Sequence, residues 1–219
     1  MSLVIEVGDR PGPARERGIA AAAAAIKRGE LVVLPTESVY GLAADPFSVK
    51  AMRALREAKG RGDDLPIGVL VGAVRTVDGL ASGITAEGRA LIEAFWPGPL
   101  TLVVREQPTL AWDIASGAGH VSLRMPLHPV TLAVLAATGP LAVTSAQRAG
   151  SAPPHTCTDA QDQLGDGIAL YLDAGPTVAG APSSIVDLTA EPPVLLREGE
   201  YSLEALHEVC PDLVNSGVS

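Results

Sequence analysis

The chain has 219 residues, a formal net charge of −9, 47% hydrophobic residues and only 3% aromatic residues. This length suits one α/β domain with a sizeable core, and the composition requires that core to consist mostly of alanine, valine and leucine. The acidic balance argues against a protein whose main task is to grip nucleic acid, because neutralisation of phosphates dominates that affinity. No apolar run is long enough to span a bilayer, so no membrane association is expected.

The cysteines and histidines form no recognisable metal or redox pattern. Cys157 and Cys210 are far apart and match no zinc or redox spacing, and the histidines are scattered. The mixed, acidic start of the chain does not resemble a signal peptide. Two free thiols in such a chain favour a cytoplasmic location.

Predicted helices and strands alternate along the chain. Ser48 and Thr85 are good helix N-caps, and Gly60 stands just beyond a predicted helix end. The patterns predict helices at about 14–28, 49–59, 85–95, 129–138 and 202–209, and one or two helical turns at 158–164. They predict strands at 30–35, 67–72, 100–104, 121–125, 141–144, 168–172, 184–188 and 194–196, and a frayed tail after Pro211. Because several late strands are joined by short loops, we expect an α/β fold with a mixed sheet and not a regular βαβ repeat.

Polar residues stand at the ends of several predicted strands. Thr36 follows the strand at 30–35, Ser145 follows the strand at 141–144, and Arg197 follows Leu196. In open α/β sheets, ligands bind beyond the carboxyl ends of strands. Arg124 lies within an apolar strand, where a charge is costly unless it is paired or faces a ligand. Arginine suits carboxylates and phosphates, so these positions indicate an anion-binding cleft.

A basic pair, Lys59 and Arg61, ends the second predicted helix near the segment 34–42. The helix dipole favours basic residues there whatever the function, but the pair also suits an anionic ligand such as a nucleotide. The sequence has no Walker-type phosphate loop, no complete dinucleotide fingerprint around residues 117–119 and no Gly-x-Ser-x-Gly elbow. Any nucleotide must therefore be held by another arrangement.

Eight short segments, by their order and spacing together, resemble the YrdC-type threonylcarbamoyl-AMP synthase family. The resemblance covers about residues 18–199 and implies a twisted mixed parallel and antiparallel sheet with flanking helices and an open ligand cleft. It also implies a single domain over 1–219, with a C-terminal helix and tail at 200–219, as in the short bacterial form of the family. The segments are Pro35-Thr36-Glu37-Ser38-Val39-Tyr40-Gly41-Leu42, Lys59-Gly60-Arg61, Phe95-Trp96-Pro97-Gly98-Pro99-Leu100-Thr101, Leu123-Arg124-Met125-Pro126, Gly139-Pro140-Leu141, Thr144-Ser145-Ala146, Ser183-Ser184-Ile185-Val186-Asp187 and Leu196-Arg197-Glu198-Gly199.

The resemblance implies a reaction. L-threonine and bicarbonate or CO2 give N-carboxythreonine, whose carboxylate attacks the α-phosphate of ATP to form threonylcarbamoyl-AMP and pyrophosphate, with Mg2+ assisting. The product feeds the formation of N6-threonylcarbamoyladenosine in tRNA, so the transferase machinery that modifies tRNA is an implied partner. Strong direct binding of nucleic acid is not expected.

The resemblance also implies roles for individual residues. The catalytic set is expected to be Lys59, Arg61, Ser145 and Gln147. The ATP-binding residues are expected to be Lys59, Asp63, His120, Ser145 and Arg197. The threonine-binding residues are expected to be Thr36, Tyr40, Arg124, Val143 and Ser183, with Arg124 on the threonine carboxylate. No metal ligand is assigned. Taken without the family context, Tyr40 is more typical of a core residue and His120 of a surface loop.

Gln147 departs from the family, which has asparagine at this position. The additional methylene can move the amide by about 1 Å, enough to alter catalysis. Two alternatives therefore stay open. One is a paralogue that forms another carbamoyl-AMP species, and the other is a non-catalytic nucleotide- or RNA-binding module, although the acidic charge argues against RNA.

Overall fold

The structure is a computed structural model that describes residues 2–8, 10–60, 67–112, 114, 119–177 and 180–216. Within these residues, eleven strands form one open sheet in the order β1-β8-β2-β3-β7-β4-β6-β5-β9-β10-β11. The strands are β1 Leu3–Glu6, β2 Val32–Leu34, β3 Gly41–Ala44, β4 Gly68–Leu70, β5 Leu100–Arg105, β6 His120–Arg124, β7 Leu141–Ser145, β8 Leu170–Asp173, β9 Ser184–Asp187, β10 Val194–Arg197 and β11 Val214–Asn215.

The sheet is mixed, as the sequence predicts. Five neighbouring pairs are antiparallel, namely β2/β3, β3/β7, β4/β7, β5/β6 and β9/β10. The other pairs are parallel, namely β1/β8, β2/β8, β4/β6, β5/β9 and β10/β11. The predicted α/β class with a mixed sheet is therefore confirmed.

Seven α-helices flank the sheet in the described part of the chain. They are α1 Pro13–Lys27, α2 Val49–Lys59, α3 Val77–Leu80, α4 Ala86–Phe95, α5 Pro129–Thr138, α6 Cys157–Leu164 and α7 Leu203–His207. The predicted caps are confirmed: the Ser48 hydroxyl accepts a hydrogen bond from the Ala51 amide, and Thr85 caps α4 in the same way. Gly60 ends α2 in the left-handed conformation, which costs glycine least.

Alternation along the strands divides the buried apolar residues into two cores. Val33 of β2 belongs to a core that also contains residues of α2, α4 and α6, whereas Val32 and Leu34 belong to a second core with residues of α1 and α5. Successive side chains of a strand point to opposite faces, so the two cores lie on opposite faces of the sheet. The sheet is thus the middle layer of the fold.

Four elements differ from the sequence-based predictions. The sequence patterns predict neither β1 nor β3. The tail after Pro211 was expected to fray, but Val214–Asn215 pairs with β10. Residues 77–80 form a short helix, α3, that the pattern did not predict.

Candidate anion-binding site

A cavity of about 930 Å³ lies against the middle of the sheet. The strand residues that line it belong mainly to β4, β5, β6, β7 and β9, and loop residues complete the wall. Among the described lining residues the only ionisable side chains are His120, Arg124, His155 and Arg197, and none is a carboxylate. An acidic protein therefore has a cavity whose described charged groups are all potential cations, and this arrangement favours an anionic ligand.

The pleat of β5 and β6 selects which side chains enter the cavity. In β5, Leu100 and Leu102 point into the apolar core, while Thr101 and Val103, which alternate with them, are half-buried and line the cavity. β6 alternates in the same way and presents His120, Ser122 and Arg124 to the cavity. One face of these strands builds the core, and the other builds the site.

Arg124 is held by groups from two loops. Its Nε donates to the Gly98 carbonyl at 3.2 Å, and its Nη2 forms an ion pair with Glu37 and a 3.5 Å hydrogen bond with the Ser38 hydroxyl. The Arg124 and Glu37 side chains are only 12% and 19% exposed, so this ion pair is shielded from solvent. These contacts use Nε and Nη2, so they fix the orientation of the guanidinium before any ligand binds.

Ser183 and Arg197 form a second fixed group on the cavity wall. Arg197 donates from Nε and Nη2 to the Ser183 carbonyl at 3.0 and 2.7 Å, and from Nη2 to the Ser183 hydroxyl at 3.1 Å. The Ser183 hydroxyl also lies 3.0 Å from that of Thr101. Ser183 therefore has a defined orientation, although it is placed at the start of β9 by a loop.

The two arginines of the site oppose each other electrostatically. Burial lowers the pKa of the Arg197 guanidinium, and the positive charge of Arg124 lowers it further. An anion bound between the two guanidinium groups would relieve this repulsion. The repulsion between the two arginines thus indicates the same class of ligand as the cavity lining does.

Lys59 holds two residues of the cavity wall in place through their main chain. It is only 3% exposed, and its ammonium group donates to the main-chain carbonyls of Ser145 at 2.6 Å and Gln147 at 2.5 Å. Ser145 and Gln147 line the main cavity, whereas Lys59 lines a smaller neighbouring cavity of about 410 Å³. A buried cation thus fixes the turn that follows β7.

Thr36 and Gln147 use their polar groups differently. The Thr36 hydroxyl donates to the Val39 carbonyl at 2.5 Å and accepts from the amides of Ser38 and Val39, which shapes the turn after β2. The amide oxygen of Gln147 is buried and has no hydrogen-bond partner in the described structure. A buried acceptor without a partner is unusual and is typical of a position that a ligand completes.

Most predicted site residues meet at this cavity. The structure brings eight of them to its wall, and Lys59 lies behind it; Arg61 and Asp63 fall outside the described residues. The eight that line the cavity are Thr36, His120, Arg124, Val143, Ser145, Gln147, Ser183 and Arg197.

Tyr40 is the exception, because the structure does not place it on the cavity wall. Its side chain is fully buried, and its hydroxyl donates to the Gly175 carbonyl at 2.6 Å. Burial, more than any other cause, raises the pKa of this phenol. The expectation that Tyr40 lines the threonine pocket stays a prediction; in the structure its hydroxyl anchors the loop after β8.

Sequence reasoning missed Glu37 and His155. Glu37 stands inside the motif at 35–42 and could have been found as an acid of that motif able to pair with Arg124. His155 lies in a loop of prolines and small residues, where no periodic pattern marks it, yet it lines the cavity. Its Nδ1 lies 2.9 Å from the Thr177 hydroxyl in a hydrogen bond.

The described residues contain neither a ready metal-binding cluster nor a membrane-spanning helix. No group of three or more histidine, cysteine, aspartate or glutamate side chains is arranged to hold a metal ion there. None of the described helices has the length and apolarity needed to cross a membrane.

The chain matches a known family over most of its length. A family profile described as telomere recombination, Sua5/YciO/YrdC, matches residues 24–199. A Mycobacterium tuberculosis protein provisionally named threonylcarbamoyl-AMP synthase is 52% identical over 195 residues, which are 89% of this chain and 90% of that protein. A Pyrococcus abyssi threonylcarbamoyl-AMP synthase is 35% identical over 97% of this chain, which spans only 62% of that relative.

Solved structures show the same architecture. The crystal structure of P. abyssi Sua5 complexed with L-threonine has a TM-score of 0.91 at 32% identity, covering 100% of this chain and 65% of that chain. Escherichia coli YciO has a TM-score of 0.81 at 21% identity, covering 94% of this chain and 100% of that chain. The YciO likeness concerns the fold alone.

Proposed function

The chain belongs to the Sua5/YciO/YrdC family, and we propose that it is an L-threonylcarbamoyladenylate synthase. The observation that carries this proposal is the cavity lining, in which the described ionisable groups are arginines and histidines beside several hydroxyl groups. ATP, bicarbonate and the threonine carboxylate are all anions, so such a lining suits every substrate of the reaction. The protein is then a transferase, and more narrowly a nucleotidyltransferase.

The reaction has two balanced steps. The neutral amine of L-threonine combines with bicarbonate to give the carbamate N-carboxythreonine and water. A carbamate oxygen then attacks the α-phosphorus of ATP; the bond to the bridging oxygen breaks, and pyrophosphate leaves with the electron pair. Charge shifts among phosphate oxygens in this second step, so the protein contributes mainly by positioning and by electrostatic stabilisation.

Threonine recognition falls to the group around Arg124. The guanidinium is already oriented by Glu37 and Gly98, so it can bind the threonine carboxylate with little loss of side-chain entropy. Thr36, Val143 and Ser183 line the same cavity and would surround the remainder of the amino acid.

ATP recognition falls to the groups at the end of β7 and on β10. Ser145, Gln147 and Arg197 line the cavity, and Lys59 fixes the first two through their carbonyl groups. Arg197 and His120 would contribute positive charge or donors to the phosphates. Arg61 and Asp63 belong to this proposal by their sequence positions alone.

We propose that Mg2+ enters the site with ATP. The described residues offer no ready-made cage of three or more ligating side chains, and Mg2+ commonly binds through substrate phosphates and water. When bound, it would neutralise part of the phosphate charge. The positioning steps above belong to the side chains of the protein itself.

The biological setting is part of the same proposal. Threonylcarbamoyl-AMP would pass to the machinery that forms N6-threonylcarbamoyladenosine in tRNA, in the cytoplasm. We also propose that residues 1–219 form one domain, with a core at about 18–199 and a C-terminal helix and tail at 200–219.

The test is release of pyrophosphate from ATP and bicarbonate, measured with and without L-threonine and with other amino acids or carbamoyl phosphate. We expect release that depends on threonine. Release with a different donor only would indicate a paralogue that makes another carbamoyl-AMP species. ATP binding without any release would indicate a non-catalytic module, and either result would overturn the proposal.

A further inference from the structure

One ionisable side chain of the cavity has no part in the mechanism above. His155 lies in the loop between β7 and α6, is exposed, and lines the cavity together with Pro153. We propose that His155 is a further ATP-binding residue, which donates a hydrogen bond from Nε2–H to the phosphate chain. This inference rests on the proposed function, because it takes ATP as the nucleotide that enters the cavity.

Thr177 fixes the orientation of the imidazole ring. Its hydroxyl is hydrogen-bonded to Nδ1 at 2.9 Å, and its amide donates to the His155 carbonyl at 2.8 Å. When the hydroxyl donates to Nδ1, the ring proton resides on Nε2. Nε2 has no hydrogen-bond partner among the described residues, so it is the ring nitrogen left for a ligand.

The main chain of Tyr40 places His155 beside the predicted nucleotide residues. The Tyr40 amide donates to the Pro154 carbonyl at 3.0 Å, and the Tyr40 carbonyl accepts from the Ala146 amide at 2.8 Å. One residue therefore connects the turn that carries Ser145 and Gln147 with the segment that carries His155. The histidine is thus fixed next to the part of the wall proposed to hold ATP.

The Tyr40 side chain reinforces the same arrangement. Its hydroxyl donates to the Gly175 carbonyl and accepts from the Ala174 amide at 3.1 Å, which anchors the loop that carries Thr177. The residue that was expected in the threonine pocket is therefore a support for His155. Tyr40 thus holds both the Pro154 segment, which precedes His155, and the loop with Thr177, which hydrogen-bonds the imidazole.

The chemistry of the wall favours phosphate over the nucleoside. An N–H donor held in a fixed direction binds a phosphate oxygen well, because hydrogen bonds to an ionised acceptor are shorter and stronger than neutral ones. The other described ionisable groups of the cavity are Arg124, Arg197 and His120, so the same space already favours anions. No carboxylate of the described lining competes for the imidazole N–H.

The experiment measures binding of ATP and of adenosine to the full chain by titration calorimetry. Loss of one hydrogen bond to a charged acceptor predicts that His155→Ala weakens ATP binding about tenfold to one hundredfold. Adenosine binding should stay unchanged, because adenosine has no phosphate. His207→Ala is the control, since His207 bonds the Leu213 carbonyl away from the cavity and should leave ATP binding unaltered.

Two amide variants separate the two ring nitrogens. His155→Gln can place an amide N–H near the Nε2 position and should restore most of the ATP affinity, whereas His155→Asn reaches only the Nδ1 position and should not. Thr177→Val removes the hydroxyl with little change of shape and should weaken ATP binding less than His155→Ala does. The variant with both His155→Ala and Thr177→Val should bind ATP as tightly as His155→Ala alone, because Thr177 acts through the imidazole ring.

Each outcome bears on the inference separately from the reaction. Equal ATP binding by wild type and His155→Ala would overturn it, even if the enzyme makes threonylcarbamoyl-AMP. Parallel losses for ATP and adenosine would also overturn the phosphate assignment. If the wild type binds ATP but releases no pyrophosphate with threonine, the proposed reaction fails, while a weaker ATP complex of His155→Ala still supports the histidine contact.

Discussion

At the scale of single residues, Arg124 is the side chain whose surroundings most restrict what it can bind. Glu37 and the Gly98 carbonyl fix its guanidinium, and the half-buried position excludes much of the solvent. A buried charge pair that loses one partner leaves the other uncompensated, so the variant must keep a positive charge next to Glu37. Lysine does so but lacks the planar fork.

We therefore predict that Arg124→Lys raises the KM for threonine by about tenfold or more, with a smaller change in the KM for ATP. Steady-state pyrophosphate release at varied threonine and at varied ATP measures both. Arg89→Ala is the control, because Arg89 forms an exposed ion pair with Asp78, neither residue is among the described cavity lining, and the change should alter neither constant. Equal increases for both substrates in Arg124→Lys would remove the arginine from the threonine pocket.

At the scale of secondary-structure elements, β3 connects the two halves of the site. It pairs with β2 on one side and β7 on the other, and Gly41 lies opposite both Leu34 and Ser145. A side chain at Gly41 would meet the Val143 methyl group at 2.8 Å, which is closer than carbon atoms approach in proteins. Val143 lines the cavity, so crowding at this point would be transmitted to the site.

Gly41→Ala should therefore destabilise the protein by about 1–3 kcal/mol and raise the KM for threonine, since overpacking displaces Val143. Chemical denaturation and steady-state kinetics measure the two effects. Gly79→Ala is the control, because an added methyl group there meets nothing within 4 Å in the helix α3, and its stability should be unchanged or slightly higher. Wild-type stability and kinetics in Gly41→Ala would contradict this account of β3.

Local sequence patterns predict some of these elements and do not predict others. α2 and α4 were predicted with their caps, because serine and threonine side chains satisfy amides that the helix leaves open. β3 was missed because Gly41 and its alanines have low β propensity, and only pairing on both sides makes it a strand. That pairing is a long-range property, which no local pattern contains.

The site follows the same division. Arg124 was predicted because a charge in an apolar strand is a local anomaly, and the structure places it on the cavity wall. For Tyr40, the motif reveals its neighbours in the sequence but not the direction of its ring, which the structure shows to be buried. His155 was missed because its position depends on hydrogen bonds to Tyr40 and Thr177, two segments far away in the sequence.

At the scale of the whole molecule, buried thiol and phenol groups limit the pH range over which the protein stays folded. Burial raises the pKa of the Cys157 thiol to about 12 and that of the Tyr171 phenol to about 12, and it also raises the pKa of Tyr40 and Cys210. A raised pKa in the folded state means that the unfolded chain loses these protons first as the pH rises. The contribution of these groups to the stability of the fold is therefore fully present below their unfolded pKa values. It is lost progressively as the pH rises above them.

We predict a thermal midpoint that is level near neutrality and falls steadily above about pH 9. Tyr171→Phe should lower the midpoint at neutral pH, because the hydroxyl donates to the Gly165 carbonyl at 2.8 Å, but should make the alkaline decline shallower. Scanning calorimetry over this pH range tests both. A midpoint that stays level to about pH 11 would contradict the assigned burial of these groups.

The proposed reaction depends on features at each of these scales. The side chains of the site are fixed, the pleat of the sheet directs them into the cavity, and the cavity of this acidic protein is lined by potential cations. The most direct measurement is mass spectrometry of the nucleotide product formed from ATP, L-threonine and 13C-labelled bicarbonate. We expect threonylcarbamoyl-AMP that carries the label in its carbamoyl carbon, together with pyrophosphate. A nucleotide product without threonine or without the labelled carbon would contradict it.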